Sequence, residues 1–162
     1  MKVKKNKKYS QNLIIHEVGI LLRGVPIVSR KFYKNHEEDF KFILRSGVFT
    51  GLLHCIEEAM SPIEYIEGNK YLFVFSRDFI ETSELNEKEI IIAYAVLNKN
   101  NTGKTDKIIN KRIKPILKLV LNKFIDENTG KDFCEVTQFD YYKNTINRIF
   151  DLNFVIPDEK LG

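Results

Sequence analysis

The residues that most resemble a chemical motif are Gly103, Lys104 and Thr105, which lie between an apolar stretch and a helical pattern. A glycine, a lysine and a threonine in this order close the phosphate-binding loop of many nucleotide-hydrolysing proteins. That loop also requires a glycine five positions earlier, because its backbone must curve around the phosphate. Asn98 occupies that position here. The sequence therefore predicts no nucleotide site, but a polar loop in which Thr102 or Thr105 caps the next helix.

Histidine and cysteine, the residues that most often ligate metals or activate nucleophiles, are scattered along the chain. They are His16, His36, His54, Cys55 and Cys134, and no pair has the spacing of a metal site. Neither a GxSxG nucleophile elbow nor an HExxH metalloprotease motif is present. We therefore expect a protein that is not an enzyme, with no catalytic residue, no metal and no cofactor.

The net charge of +4 belongs to one short segment at the N-terminus. Five lysines at the start of the chain contribute +5: Lys2, Lys4, Lys5, Lys7 and Lys8. The rest of the chain has 21 basic and 22 acidic residues, a net charge of −1. Residues 1–12 are predicted to form a disordered arm that acts as a solubilising terminus, a membrane tether or a nucleic-acid contact. Because the rest of the chain has no basic stripe, we expect no nucleic-acid partner. The five lysines are the candidate tether to an anionic membrane.

The composition, 43% hydrophobic and 30% charged, is that of a globular chain and excludes a spanning protein. No apolar run approaches the roughly 18 residues that a membrane span needs. The lysine-rich start lacks the apolar core and cleavage site of a signal peptide. Two cysteines without CxxC spacing are too few for a disulfide scaffold. We expect a cytoplasmic protein with one domain, residues 13–152, and a C-terminal tail, residues 153–162.

Hydrophobic periodicity divides the chain into five strands and three helices. The predicted strands cover residues 13–22, 25–33, 63–67, 71–76 and 89–97, and the predicted helices cover about 35–60, 104–126 and 139–150. Pro26 favours an edge position for the second strand, because proline has no N–H for a ladder. Pro115 either kinks the second helix or begins a new segment. The polar stretch 78–88 is predicted to be a loop.

The element order β-β-α-β-β-β-α-α predicts an α+β fold with a five-stranded, mostly antiparallel sheet. We expect one helix on one face of the sheet and two on the other. This order resembles the longin domain over about residues 12–152. The stretches that carry the resemblance are the hairpin LIIHEVGILLRGVPIVSRKFY, the helix FKFILRSGVFTGLLHCIEEAM and the strand EIIIAYAVLNK. The chain is similar, more distantly, to the roadblock domain, which begins with a helix.

Resemblance to these domains implies a non-enzymatic scaffold that forms a homodimer, or a heterodimer with a longin or roadblock paralogue. It further implies that the scaffold binds a Ras-like small GTPase or belongs to a vesicle-trafficking complex. Longin proteins that fuse membranes carry a coiled coil and a membrane anchor after the domain. We expect neither in this sequence, and therefore no direct role in membrane fusion. The Lys- and Asn-rich composition would suit an archaeal or AT-rich genome.

The first predicted helix has two apolar stripes on roughly opposite sides. One contains Gly47, Gly51 and Cys55, whose small size would allow close packing on a sheet. The other, here called the outer stripe, consists of Phe42, Phe49, Leu53, Ile56 and Met60. Such a patch normally marks an interface, unless the tail, the loop 78–88 or the last helices cover it. We predict that a partner contacts the outer stripe together with an edge strand, through Val25, Ile27 and Val28.

A second hypothesis comes from another class of protein. A sheet flanked by helices could instead hold a small molecule between its layers, as in ligand-sensing domains of the PAS or GAF kind. That hypothesis predicts a closed apolar pocket and a monomer. Sizing chromatography distinguishes the two interpretations, because the scaffold is expected to associate and the sensor is not.

Overall fold

The structure is a computed structural model that describes residues 14–32, 64–68, 71–98 and 105–153. The predicted basic arm, the predicted first helix and nearly all of the predicted tail lie outside these residues. The five lysines of the arm and the five residues of the outer stripe are among those outside.

Five strands form one open antiparallel sheet. They are β1 (Ile15–Leu22), β2 (Val25–Lys31), β3 (Tyr65–Glu67), β4 (Tyr71–Glu81) and β5 (Lys88–Asn98). The spatial order is β2-β1-β5-β4-β3, and every neighbouring pair is antiparallel. The predicted α+β class and five-stranded antiparallel sheet are confirmed. β2 lies at an edge, as the proline in it predicts.

β4 extends farther than its sequence predicts. Every residue from Tyr71 to Glu81 pairs with one from Asn98 to Lys88 of β5, so the predicted loop 78–88 shortens to residues 82–87. The prediction of a strand that ends at residue 76 was wrong, because exposed polar side chains do not prevent backbone pairing. Ile80, which is buried, continues the alternation beyond the polar residues.

The helical region after β5 contains two α-helices joined by a π-helical turn. α1 covers Thr105–Ile108, the π turn covers Ile109–Ile113, and α2 covers Lys114–Asn128. Pro115 lies in the first turn of α2, directly after the π turn, and Ile113 and Lys114 at this junction keep helical dihedral angles. The proline therefore marks a change from π-helical to α-helical geometry within one continuous helical run.

The last helix is shorter than predicted at its N-terminal end. A 3-10 turn covers Val136–Phe139, and α3 covers Tyr142–Asn153. The apolar positions of both predicted C-terminal helices are buried as their spacing indicates: Ile109, Ile113, Ile116, Leu117, Val120, Leu121, Phe124, Phe139, Tyr142, Ile146, Ile149 and Phe150. Periodicity thus located the buried side of each helix even where it misplaced the ends.

The main core lies between these helices and one face of the sheet, here called the first face. Val18, Ile20, Val74, Ala93 and Leu97 are among the strand residues that belong to it. α2 packs on β4 and β5, and α3 packs on β2. Four aromatic rings pack against one another in this core: Phe124, Phe133, Phe139 and Tyr142.

Candidate interaction surface

The opposite side of the sheet, here called the second face, has a separate cluster of buried apolar residues. Its fully buried members are Leu21, Phe75, Ile92, Tyr94 and Val96, and Ile66, Tyr71, Phe73 and Ile90 pack around them. Among the described helices, α2 and α3 belong to the first face.

A buried carboxylate lies on the second face. Glu17 is 1% exposed, Tyr94 is 0% exposed, and the Tyr94 hydroxyl donates a hydrogen bond to Glu17 Oε2 at 2.9 Å. Burial raises the pKa of Tyr94 well above its ordinary value, and the neighbouring Glu17 raises it further. The phenol therefore keeps its proton, as the donor of this hydrogen bond must. Ser29 of β2 also hydrogen-bonds this hydroxyl.

Gly19 makes room for this arrangement. It pairs with Tyr94 across β1 and β5, and the tyrosine ring lies over it. A Cβ at position 19 would be 2.6 Å from Cε1, Cζ and Oη of the ring, closer than van der Waals contact allows. The tyrosine side chain thus crosses β1 toward Glu17 and Ser29 because residue 19 has no side chain.

A β-bulge adds an imidazole to the same face. The register of β1 against β5 shifts between Ile15 and Glu17, so His16 and Glu17 both project toward the second face. The His16 ring meets the ring of Tyr71 edge-on, with centroids 5.5 Å apart, and its Nε2 hydrogen-bonds the side chain of Asn98. These contacts connect β1 to β4 and β5.

Sequence reasoning missed this polar group. It weighed His16 as a scattered histidine and did not select Glu17, Gly19 or Tyr94. A signal was available, since a histidine, a glutamate and a glycine interrupt an otherwise apolar strand, in the stretch IHEVGILL. The pairing of that glycine with a tyrosine 75 positions away depends on the strand register and is not visible locally.

The three predicted contact residues on β2 have different surroundings. Val25 is 53% exposed, whereas Ile27 and Val28 are buried in the main core. The pairing of β1 with β2 contains a second bulge, where the register shifts between Ile20 and Leu21. A partner at this edge would therefore meet the side chain of Val25 directly.

An arginine side chain occupies part of the same edge. Arg30 donates hydrogen bonds to the carbonyl of Lys31 and, from Nε at 2.7 Å, to Asn147 of α3. Its guanidinium also lies 5.2 Å from the ring centroid of Phe32. Arg30 therefore fixes the C-terminal end of β2 to α3.

An ion-pair network joins three segments at one end of the sheet. Arg23, in the β1–β2 turn, contacts both carboxylate oxygens of Glu89 at 2.6 and 2.8 Å and Glu84 at 2.9 Å. Glu84 in turn accepts the backbone N–H of Phe133, at 2.5 Å. The hydrogen bond from Arg23 lowers the pKa of Glu89 below its ordinary value. The network fixes the two strand turns against the segment between α2 and α3.

Two carboxylates and a thiol near this network are the kinds of side chain that can bind a metal ion. Glu84, Asp132 and Cys134 bring three potential ligand atoms within 4.8 Å of one another. The contacts account for their closeness without an ion, since Asp132 accepts the N–H of Cys134 at 2.7 Å and Glu84 accepts from Arg23. The hydrogen bond to Asp132 also raises the pKa of the Cys134 thiol, whereas a metal ligand must be a thiolate. We assign no metal to this group.

Comparison with protein families finds no match for this chain, and comparison with curated proteins finds none either. No helix among the described ranges is both long enough and apolar enough to cross a membrane.

Proposed function

We propose that this chain is a non-enzymatic longin-type scaffold that dimerises and binds a Ras-like small GTPase or a membrane-trafficking complex. The observation that carries the proposal is the sheet: an opening hairpin, then three antiparallel strands, in the order β2-β1-β5-β4-β3, followed by two helices on its first face. The α+β class and the five-stranded antiparallel sheet are compatible with the longin resemblance. The resemblance, and not the sheet alone, supplies the function.

The predicted first helix would cover the second face. β2 and β3 lie at opposite edges of the sheet, so residues 33–63 must pass from one edge to the other, about 19 Å across four strand spacings. A helix over residues 35–60 is about 39 Å long, which is more than enough. The buried residues of the second face give it an apolar surface to pack on. The stripe with Gly47, Gly51 and Cys55 would then face the sheet.

In this arrangement the outer stripe faces away from the sheet and forms the dimer interface with Val25 of the neighbouring edge. Phe49→Glu is expected to abolish self-association, because it places a charge in the middle of the stripe. Thr50→Glu is the matched control, since it adds the same charge one residue away on the polar side. Sizing chromatography with light scattering measures the mass of all three proteins. A wild type that is monomeric at high micromolar concentration, with Phe49→Glu unchanged, would overturn the dimer.

The GTPase partner needs a separate measurement. Purified Ras-like GTPases from the same genome, each loaded with GDP or with a non-hydrolysable GTP analogue, are passed over the immobilised full chain. The proposal predicts retention of at least one GTPase above an unrelated control protein. Any effect on nucleotide exchange would arise from altered switch loops. If none is retained in either nucleotide state, the GTPase-binding role is wrong.

The basic arm would add weak contact with a membrane surface, which makes a cytoplasmic and peripheral location part of the proposal. Each lysine near an anionic surface contributes roughly 1 kcal/mol. Sedimentation with vesicles of phosphatidylserine and phosphatidylcholine should detect binding that falls when the five lysines are changed to glutamine. Equal sedimentation of both proteins would exclude the tether.

A small-molecule sensor of the PAS or GAF kind is the alternative. The sensor is favoured by three buried polar side chains, those of His16, Glu17 and Tyr94, because a few polar side chains in an apolar layer can orient a ligand. Native mass spectrometry of the purified chain distinguishes the two, since a sensor would retain a molecule of defined mass and would remain monomeric.

A further inference from the structure

The near-neutral total outside the N-terminal segment conceals a basic stretch in the helices that follow β5. From residue 107 to residue 123 the chain has six basic residues and no acidic one: Lys107, Lys111, Arg112, Lys114, Lys118 and Lys123. Asp106 lies just before this stretch, and Asp126 lies just after it. The stretch runs through α1, the π turn and most of α2, about 24 Å along the helical run. Positive charge is therefore concentrated on one continuous element.

Four of these lysines project away from the core. Ile109 and Ile113 are both buried, so Lys111, midway between them, lies on the opposite side of the helical run and is exposed. Lys107, two residues before Ile109, is exposed for the same reason. Two exposed lysines of α2 complete the set, here called the lysine side: Lys107, Lys111, Lys118 and Lys123.

The charge of the lysine side is not neutralised by other described residues. Within the described ranges, none of its four lysines forms an ion pair, whereas Lys114, on its flank, pairs with Glu64. Lys114 also lies one helical turn before Lys118, and like charges at that spacing destabilise a helix. An acidic residue at one of these positions would stabilise the helix. The all-basic pattern therefore favours a role for this charge outside the chain.

An exposed leucine lies among these lysines. Leu119 is 50% exposed, next to Lys118 and one helical turn before Lys123. Pro115, one turn before Leu119, is also exposed. An apolar side chain surrounded by lysines suits an anionic membrane surface, where the lysines meet headgroups and the apolar group enters the boundary with the acyl chains.

The residue types favour a membrane over a nucleic acid. A lysine ammonium is a strongly hydrated point charge, which suits attraction to a layer of headgroups, whereas the arginine fork suits bidentate contact with phosphates and base edges. Residues 107–123 contain one arginine, the half-buried Arg112, and no aromatic side chain for a base to stack on.

We propose that the lysine side is a docking surface for anionic lipid headgroups, with Leu119 entering the boundary between the headgroups and the acyl chains. This site is separate from the N-terminal arm. It does not depend on the longin-type scaffold role, because all of its residues belong to the described helices.

The test measures cosedimentation of the full chain with vesicles of equal parts phosphatidylserine and phosphatidylcholine, and with vesicles of phosphatidylcholine alone. The wild type is expected to bind the mixed vesicles and not the neutral ones. Changing all four residues of the lysine side to glutamine should weaken binding by about tenfold or more. The control removes the same charge from exposed positions elsewhere, each changed to glutamine: Lys88, Lys131, Lys143 and Arg148. It should bind within about twofold of the wild type, because distant charges are screened.

A second variant tests the apolar contact. Leu119→Ser should weaken binding to the mixed vesicles by about fivefold, because it removes the side chain that enters the boundary. Asn122→Ser is the matched control, since it changes an exposed polar residue on the same side of α2, and it should bind as the wild type does.

The same assay separates this site from the arm. With the five arm lysines changed to glutamine, the lysine-side substitutions should still weaken binding. The proposal is wrong if the lysine-side variant, folded by circular dichroism, binds as tightly as its charge-matched control. Binding that is lost only when the arm is changed would support the arm and overturn this site. No binding by the wild type would overturn both membrane sites and leave the dimer and the GTPase role standing. Tighter binding to single-stranded RNA than to vesicles, unaffected by Leu119→Ser, would make this a nucleic-acid site instead.

Discussion

The two faces of the sheet are built on different principles. The first face meets α2 and α3 through apolar side chains, including the aromatic group around Phe124. The second face combines an apolar cluster with the hydrogen-bonded pair of Glu17 and Tyr94, and with His16 beside Asn98. The burial of apolar side chains has no directional requirement, whereas a buried carboxylate must have a hydrogen-bond donor at the correct position. The first face therefore supplies stability, and the second face fixes a particular strand register.

The largest expected effect is on the first face. Phe124→Ala removes a fully buried ring that contacts Phe133, Phe139 and Tyr142. It should lower the free energy of unfolding by about 3–5 kcal/mol, since the site cannot fill the cavity. Urea denaturation measures the loss. Leu119→Ala, at an exposed position on the same helix, is the control and should change stability little. Similar losses in both variants would contradict the assignment of this core.

The second face is expected to be sensitive to a single added methyl group. Gly19→Ala places a Cβ 2.6 Å from the ring of Tyr94, so the ring or the strand must move. We expect a loss of about 2 kcal/mol, as for other overpacked sites. Gly68→Ala is the matched control, because its Cβ would meet only a backbone oxygen at 3.4 Å. If Gly19→Ala were as stable as Gly68→Ala, the tyrosine would not lie over β1.

Removing one hydroxyl should reveal the cost of the buried carboxylate. Tyr94→Phe takes away the hydroxyl that donates to Glu17 Oε2 and leaves the ring in place. Loss of one hydrogen bond to a buried carboxyl group costs about 1–3 kcal/mol. In the double variant Glu17→Gln, Tyr94→Phe, the loss should be smaller than the sum of the single losses, which thermal unfolding of all four proteins measures. Additive losses would show that the pair is not coupled.

The smallest expected effect belongs to the ion-pair network at the end of the sheet. The hydrogen bond from Arg23 lowers the pKa of Glu89, so this pair stabilises the fold above the ordinary glutamate value of 4.5. That contribution is lost as the pH falls through the lowered pKa, when Glu89 becomes protonated in the folded state. Because Arg23 is partly exposed, the pair contributes about 1 kcal/mol or less.

Glu89→Gln measures that contribution. The variant should be slightly less stable than the wild type at pH 7, and the difference should shrink as the pH falls below the ordinary glutamate value of 4.5 and through the lowered pKa of Glu89. Chemical denaturation at several pH values follows the difference. Glu87→Gln, at an exposed position in the turn just before β5, is the control. A difference that grows on acidification would contradict the lowered pKa.

Most of the fold was predictable because it depends on local patterns. Alternation located five strands, Pro26 indicated an edge, and helical spacing identified the buried stripe from Ile109 to Phe124. The end of β4 was misplaced because its polar residues resemble a loop, while pairing with β5 maintains the strand. The candidate site was less predictable. The outer stripe stays a prediction, and of the three residues on β2, Val25 is the exposed one.

Residue types and their spacing were enough to predict the order of the described strands and C-terminal helices, the buried sides of those helices, and the position of the positive charge in the first eight residues of the sequence. Each of these depends on residue type and spacing along the chain. Tertiary structure decided that Tyr94 crosses Gly19 to reach Glu17, that a bulge turns His16 to the same face, and that Arg23 meets Glu84 and Glu89. These contacts join residues more than 55 positions apart, and strand register brings them together. A shift of one residue in that register would send every such side chain to the other face.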